Sequence, residues 1–300
     1  MSAEHGQPVQ PVDVFRPAED CAPAPLVFAS PHSGEYAPQA FFDEIEVDRH
    51  AVRTSEDAFV DQLFQTAPEF GATLVRANFA RAYIDPNRDP WELDPKMFRD
   101  ALPAWANPRS PRVANGLGAI PRVVADGRGI YRRLLRLEEA VARIEQFHDP
   151  YHDALDAELE RLRRDHGFAI LIDCHSMPSG SGGRADIVLG DRFGASCDAQ
   201  LSGAVEMTLR TLGYRVTRNA PYAGGYTTSR YGRPQAGIHA LQIELCRSLY
   251  MNEAEIAPRQ PRFDRMRRRM TRLIGILCEI DWEARLRDPE KKQPRLRAAE

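Results

Sequence analysis

A chain of 300 residues with 43% hydrophobic content is long enough to bury the core of one large α/β domain or of two small ones. With 40 Lys and Arg against 43 Asp and Glu, the formal charge of -3 leaves no electrostatic case for nucleic acid or an anionic membrane surface as partner. The five cysteines at 21, 174, 197, 246 and 278 contain no C-x-x-C, and no apolar run approaches about 18 residues; a disulfide framework, a cysteine-zinc knuckle and a membrane-spanning helix are therefore not expected. The N-terminus has neither a basic nor an apolar leader segment, so the expectation is a cytoplasmic protein with reduced thiols.

Residues 1–24 are rich in Pro and Gln and read as an extension lying along the surface, followed by a single domain over 25–285 and a charged tail over 286–300. Leu26 to Ser30 is the first core strand. Asp57 to Phe64 has helical spacing with Ser55 as a plausible N-cap, Ala72 to Arg76 reads as a strand, and Arg81 to Asp85 as a further short strand. Residues 86–130 are irregular and rich in Pro, Gly and Asn. A loop of that length inside a compact domain is usually functional, so it is expected to wall or cover a site.

From Tyr131 to His166 the pattern is helical, with Leu134, Leu137, Val141 and Ile144 at spacings of three and four, and Pro150 dividing it into two helices. Phe168 to Cys174 is the most apolar strand. Ala185 to Gly190, Tyr214 to Thr217 and His239 to Leu245 are further strands. Ala195 to Leu212 and Ile256 to about Arg285 are helices, the latter basic and amphipathic, with Met266, Met270, Leu273 and Ile276 on one face. Strands alternating with helices predict an α/β fold, a mixed and mostly parallel sheet covered on both faces as three α/β/α layers.

Two apolar strands end on a histidine in a small polar turn: Ser30-Pro31-His32-Ser33-Gly34 and Asp173-Cys174-His175-Ser176. Ligands in open α/β sheets bind beyond the carboxyl ends of the strands. Two histidines delivered there with a carboxylate nearby are what a catalytic zinc site needs; otherwise they merely cap strand ends. Strand alternation puts Asp173 and His175 on one face, where Asp173 can orient the imidazole, and puts Cys174 on the other as an apolar thiol.

The completing carboxylate stays open on residue grounds. Glu35 follows His32 at H-x-x-E spacing, whereas Glu56 and Asp57 suit the start of a helix dipole. Gln242 and Glu244 share a strand face, and Glu244 is either a general base or the partner of an arginine such as Arg247. Arg81 and Arg88, seven residues apart across the Pro86-Asn87 turn, match carboxylate recognition or plain solvation. The loop Asn219 to Gly232, with Tyr226, Thr227 and Arg230 after Gly224-Gly225, lets backbone approach a ligand but has neither a phosphate-loop nor a G-x-S-x-G pattern.

Taken in order, Pro31-His32-Ser33-Gly34, Ser55-Glu56-Asp57-x-x-Val60-Asp61, Arg81-x-Tyr83-x-Asp85-x-Asn87-Arg88, Asp173-x-His175-Ser176, Asn219-x-Pro221-Tyr222-x-Gly224-Gly225 and Gln242-x-Glu244 resemble the N-formylglutamate amidohydrolase family over about residues 25–255. The resemblance implies a zinc-exopeptidase type of fold (phosphorylase/hydrolase-like), related to zinc carboxypeptidases and aspartoacylase, with 25–285 as the amidohydrolase domain. It implies a zinc-dependent enzyme, or one using another divalent metal, that removes formate from N-formyl-L-glutamate at the end of a histidine degradation route. His32, His175 and Asp57 then match the metal ligands, with Glu35 and Glu56 as alternative carboxylates. Glu244 matches the catalytic glutamate and Arg81 the oxyanion-stabilising arginine. Asn87 and Arg88 match the grip on a substrate carboxylate. Two carboxylates in the substrate call for a second cation, and Arg230 or Arg184 is expected to supply it, with Tyr226 and Thr227 also at the substrate. The implied partner is a small N-formyl or N-acyl amino acid; oligomeric state is open. The rival readings are a deacylase of another acyl amino acid and a non-catalytic dicarboxylate-binding protein.

Overall fold

The computed structural model describes residues 9–286. Seven strands form one sheet in the order β1-β3-β2-β4-β7-β5-β6: β1 (Val12–Phe15), β2 (Leu26–Ser30), β3 (Thr73–Ala77), β4 (Ala169–Met177), β5 (Ile187–Gly190), β6 (Val216–Arg218) and β7 (Ile238–Cys246). Strands β3, β2, β4 and β7 run parallel to one another and β6 runs parallel to β5, while β1 and β5 are antiparallel to β3 and β7, so the sheet is mixed and mostly parallel. The helices are α1 (Gln39–Glu44), α2 (Arg49–Arg53), α3 (Val60–Phe64), α4 (Pro111–Ala114), α5 (Leu137–Arg143), α6 (Asp149–His166), α7 (Ala199–Thr211), α8 (Tyr226–Tyr231), α9 (Arg262–Glu279) and α10 (Trp282–Leu286).

Period-two alternation divides each central strand between two cores. Phe28 on β2, Ile170 and Ile172 on β4 and Ile243 on β7 pack with residues of α3, α7 and α9. Val27, Ala29, Leu171 and Ala240 point the other way, against Tyr151, Leu155, Leu159 and Leu162 of α6. Both faces are therefore buried, which is why these strands read as continuous apolar runs. No helix among the described residues is long and apolar enough to cross a membrane.

Several elements depart from the sequence reading. Val12–Phe15, within the segment expected to be surface extension, adds an edge strand to β3. Arg81–Asp85 forms turns and no strand, because its side chains serve ion pairs and a site instead of a ladder. The helix expected from Asp57 begins only at Val60, after Phe59 in a left-handed conformation (φ 68), and Ser55 accepts from Ala125 N instead of capping it. Pro150 does not separate two helices. It sits in the first turn of α6, where its missing N–H costs nothing, directly after a π-helical turn over Ile144–His148. The C-terminal helix is interrupted at Ile280, and Ile276 is only half buried while Phe263, Ile274 and Leu277 complete the packed face. The tail over 287–300 lies outside the described residues. Loop 86–130 is not structureless: it holds α4 and its own small core, in which Leu93, Met97, Phe98 and Ile120 pack on Leu135.

Gly34 shows how tightly the β2 turn is seated. A methyl group there would overlap the backbone of Ala77, Asn78 and Phe79 at the end of β3. Backbone cannot retreat as a flexible side chain can, so Gly34→Ala is expected to cost about 1–3 kcal/mol. A thermal or denaturant melt reads this directly, and an unchanged midpoint would show that the turn is free to move.

Candidate active site

Beyond the carboxyl end of β2, Pro31 ends the ladder and His32 enters a turn that Ser33 fastens to a second turn. The Ser33 hydroxyl donates to Asp57 O (3.0 Å) and accepts from Asp61 N (3.1 Å), while Asp57 N donates to His32 O (3.0 Å). His175 arrives on β4, and the parallel register sets it beside Glu244 on β7, with Asp173 beside Gln242. The side chains of His32, Asp57, Asp173, His175, Gln242 and Glu244 are all buried.

His32 Nδ1, His175 Nδ1 and Asp57 Oδ2 converge, at 3.1 Å (His32–Asp57), 2.9 Å (His175–Asp57) and 3.1 Å (His32–His175). Ligands about 2.0–2.1 Å from a tetrahedral zinc-type ion sit about 3.3 Å apart, so this donor set fits a metal with little adjustment. The outer nitrogens are backed by acids. His32 Nε2 lies 2.7 Å from Asp85 Oδ1, and because a carboxylate only accepts, Nε2 carries the proton and Nδ1 presents its lone pair. Asp173 Oδ2 forms an ion pair with His175 Nε2 at 3.0 Å. Carboxylates behind the ligating imidazoles are the usual orienting groups of a metal site.

The charges follow from this geometry. Burial alone would raise the Asp57 pKa, but its hydrogen bonds to both imidazoles outweigh it and hold the carboxyl well below its ordinary range. For His175, burial opposes the charge, yet Asp173 and Asp57 hold its pKa well above the ordinary value: the nest demands a cation. Asp85 is likewise held low against desolvation, by Arg81 (2.6 Å from Oδ2), Arg88 and His32. The second oxygen of Asp57 takes Ser176 Oγ (3.0 Å) and Arg247 Nη2 (3.2 Å). Arg247 is wholly engaged there, donating also to Thr54 O and Glu56 O, so it is not the partner of Glu244. Glu244 Oε1 instead accepts from Gln242 Nε2 (2.6 Å), whose own oxygen accepts from Gly225 N (2.7 Å). Desolvation raises Glu244 to about 7, against the pull of His175.

These residues open into a cleft of about 440 Å³, lined also by Arg81, Asn87, Arg88 and Arg112. Loop 86–130 does form one wall. Asn87 Oδ1 accepts from Thr227 N (2.9 Å) and its Nδ2 faces His175 Nε2 (3.2 Å); a methyl on Gly225 would overlap that amide. His148 Nε2 donates to Arg88 O (3.0 Å) and His152 Nε2 to Pro86 O (2.8 Å), as neutral rings whose pKa values burial lowers.

Not every expected residue reaches the cleft. Glu35 is exposed on Arg53 Nη2 (2.6 Å), and Glu56 is buried on Arg53 Nε (3.1 Å), so neither reserve carboxylate joins the histidines. Arg230 turns away to Asp156 (3.1 Å) and to the Tyr226 hydroxyl (3.0 Å), and Arg184 is exposed. Thr227 is buried under Asn87, as a support. Cys174 packs in the apolar core. Sequence reasoning gave no role to Asp85, Ser176, Gln242, His148, His152 or Arg112. Asp85 carried a readable signal, an acid between two arginines in a turn, and so did Gln242, on the strand face of Glu244.

A model of the N-formylglutamate amidohydrolase family matches residues 24–251. The chain is 31% identical to the N-formylglutamate deformylase of Pseudomonas aeruginosa over 237 residues, covering 76% of this chain and 83% of that protein. It is 32% identical to that of Pseudomonas putida over 239 residues, covering 77% and 83%. Its fold matches the crystal structure of N-formylglutamate amidohydrolase from Ralstonia eutropha with a TM-score of 0.85 and 35% identity, over 90% of this chain and 98% of that one. A gene product of Agrobacterium tumefaciens, 19% identical with a TM-score of 0.61 over 90% and 96%, shares the fold.

Two outcomes follow from the site's geometry. After zinc loading and desalting, metal analysis should find Asp57→Asn depleted and Glu35→Gln as full as the parent; the reverse would transfer the ligand to Glu35. Desolvation raises Glu56 to about 8, so the folded protein binds a proton there that the unfolded chain has released. The contribution of Glu56 to stability should fall as pH rises from about 4.3 towards 8, by up to about 1.4 kcal/mol per unit. Glu56→Gln should flatten that slope in melts at pH 5 and 8, and an equal slope in both proteins would contradict it.

Proposed function

The chain belongs to the N-formylglutamate amidohydrolase family, and from that premise we propose that it hydrolyses the formamide bond of N-formyl-L-glutamate, giving formate and L-glutamate, with a divalent metal of the zinc type. In the route that the resemblance implies, this is the closing step of histidine degradation. The observation that carries the proposal is the convergence of His32, Asp57 and His175 beside Glu244 in one cleft with three arginines free of that metal triad, Arg81, Arg88 and Arg112.

His32 Nδ1, His175 Nδ1 and Asp57 Oδ2 would hold the metal, which when bound would supply Lewis acidity to polarise a carbonyl and make water acidic near neutral pH. Glu244, with a pKa near 7, is suited to take a proton from the attacking water at that pH and return it to the departing amine. Gln242 occupies Oε1, which leaves Oε2 as the atom that carries the proton. The water oxygen joins the formyl carbon, the C–N bond breaks, formate leaves, and the nitrogen receives the proton that Glu244 held. Arg81 is fixed by Asp85 through Nη2 and turns its remaining N–H groups to the charge that grows on the formyl oxygen. Arg88 is held through Nε by Leu117 O and through Nη1 by Asn87 O, while Nη2, 3.7 Å from Asp85 Oδ2, is the group that would pair with a substrate carboxylate. A formyl group offers almost no surface, so recognition has to come from the acid groups of the substrate.

Formate release from N-formyl-L-glutamate, measured before and after chelation and again with zinc restored, tests the reading. Activity should vanish with the metal and return with it. Glu244→Gln should keep its metal and lose about 10²–10⁴-fold in turnover; unchanged turnover would remove Glu244 from the mechanism.

A further inference from the structure

The arginines of the cleft differ in what they already hold. Arg81 donates to Asp85, Arg247 to Asp57, and Arg88 to two backbone carbonyls, with its Nη2 also 3.7 Å from Asp85 Oδ2. Arg112 lines the same cleft, half buried, and its guanidinium makes no hydrogen bond or ion pair among the described residues. It rides on a fixed turn: Ser110 Oγ caps α4 by accepting from Val113 N (3.1 Å), Pro111 opens the helix, and Val113 is buried beneath. Its charge reaches Arg88. Burial, reinforced by Arg81 and Arg112 and opposed by Asp85, brings Arg88 down to about 10. Two guanidinium groups held in one cleft, one with no protein acid to pair with, make a receptor for a ligand with two negative charges.

We infer that Arg112 receives the side-chain carboxylate of the substrate while Arg88 receives the carboxylate next to the scissile amide, an assignment that rests on the formylglutamate reading above. Arg112 takes the place that the sequence gave to Arg230, which is paired with Asp156, or Arg184, which is exposed and does not line the cleft. The same wall carries Leu117, Pro121 and Val123, apolar surface against which the methylene groups of a glutamate side chain pack. Arg112 is thus a specificity-determining residue, and it selects acyl amino acids with an acidic side chain over neutral ones of the same length.

The test compares kcat/KM for N-formyl-L-glutamate and N-formyl-L-glutamine, which differ only in the charge of the distal group, in the metal-loaded parent, Arg112→Ala and Arg112→Lys. The parent should prefer the glutamate compound. Arg112→Ala should shrink that preference about 10- to 100-fold, the scale of one charge-assisted hydrogen-bonded pair. Arg112→Lys should retain part of it, which also guards against a poorly folded alanine variant. A parent with no preference, or a preference that survives in both variants, overturns the assignment while leaving the hydrolase reading intact. A metal-loaded parent that releases formate from neither compound overturns the hydrolase reading itself, and the assignment with it.

Discussion

The site depends on one buried carboxylate. Asp57 is withdrawn from water, and a charge so placed is tolerated only when every lone pair has a partner. One oxygen meets the two imidazoles, and the other meets Ser176 and Arg247. Satisfying it draws four separate pieces of chain together: the turn after β2, the turn before α3, the end of β4 and the residue that follows β7. Removing any of these partners would leave an uncompensated charge beneath the sheet edge, which is a larger penalty than the loss of one contact.

The sheet converts this local demand into a chemical arrangement. Because β2, β4 and β7 run parallel, their carboxyl ends open on the same side, and the register sets His175 beside Glu244 without any further device. Alternation then separates the functions of each strand. The residues between the chemical ones, such as Cys174 and Ile243, anchor the opposite face in the core with α3, α7 and α9. The proposed general base is raised to about 7 by the same dry surroundings that hold Asp57. Burial is therefore both what the fold has to offset and what tunes the chemistry.

The residues proposed for recognition sit apart, on loop 86–130. The metal-type cluster belongs to strand ends and tight turns, whereas Arg88 and Arg112 belong to a long excursion with its own small core. That excursion is tied back at its root. The π-helical turn before α6 directs His148 to Arg88 O, and His152 holds Pro86 O. A loop so anchored can change the residues that meet a substrate without disturbing the residues that carry out the reaction.

Much of this was legible in the chain alone. Apolar runs marked β2, β4 and β7 closely because strands buried on both faces need continuous hydrophobic sequence, and period-two alternation placed Asp173 with His175 and Gln242 with Glu244 correctly on shared faces. The six ordered motifs located the cluster around His32, Asp57 and His175. Contacts that depend on chain reversal were not legible. Nothing local distinguishes Glu35, Glu56 and Asp57 as ligands: all three follow short polar turns, and only the packing of one turn on another sends Asp57 inward and the other two to Arg53. Arg230 and Arg112 likewise look alike in sequence, each an arginine in a polar loop. Asp156 on α6 takes the first, while the second is left facing the cleft. Periodicity and strand-end chemistry are properties of neighbouring residues and so are written in the sequence. The partner of a long charged side chain is decided by which distant acid the folded chain brings within reach, and only the tertiary structure sets that.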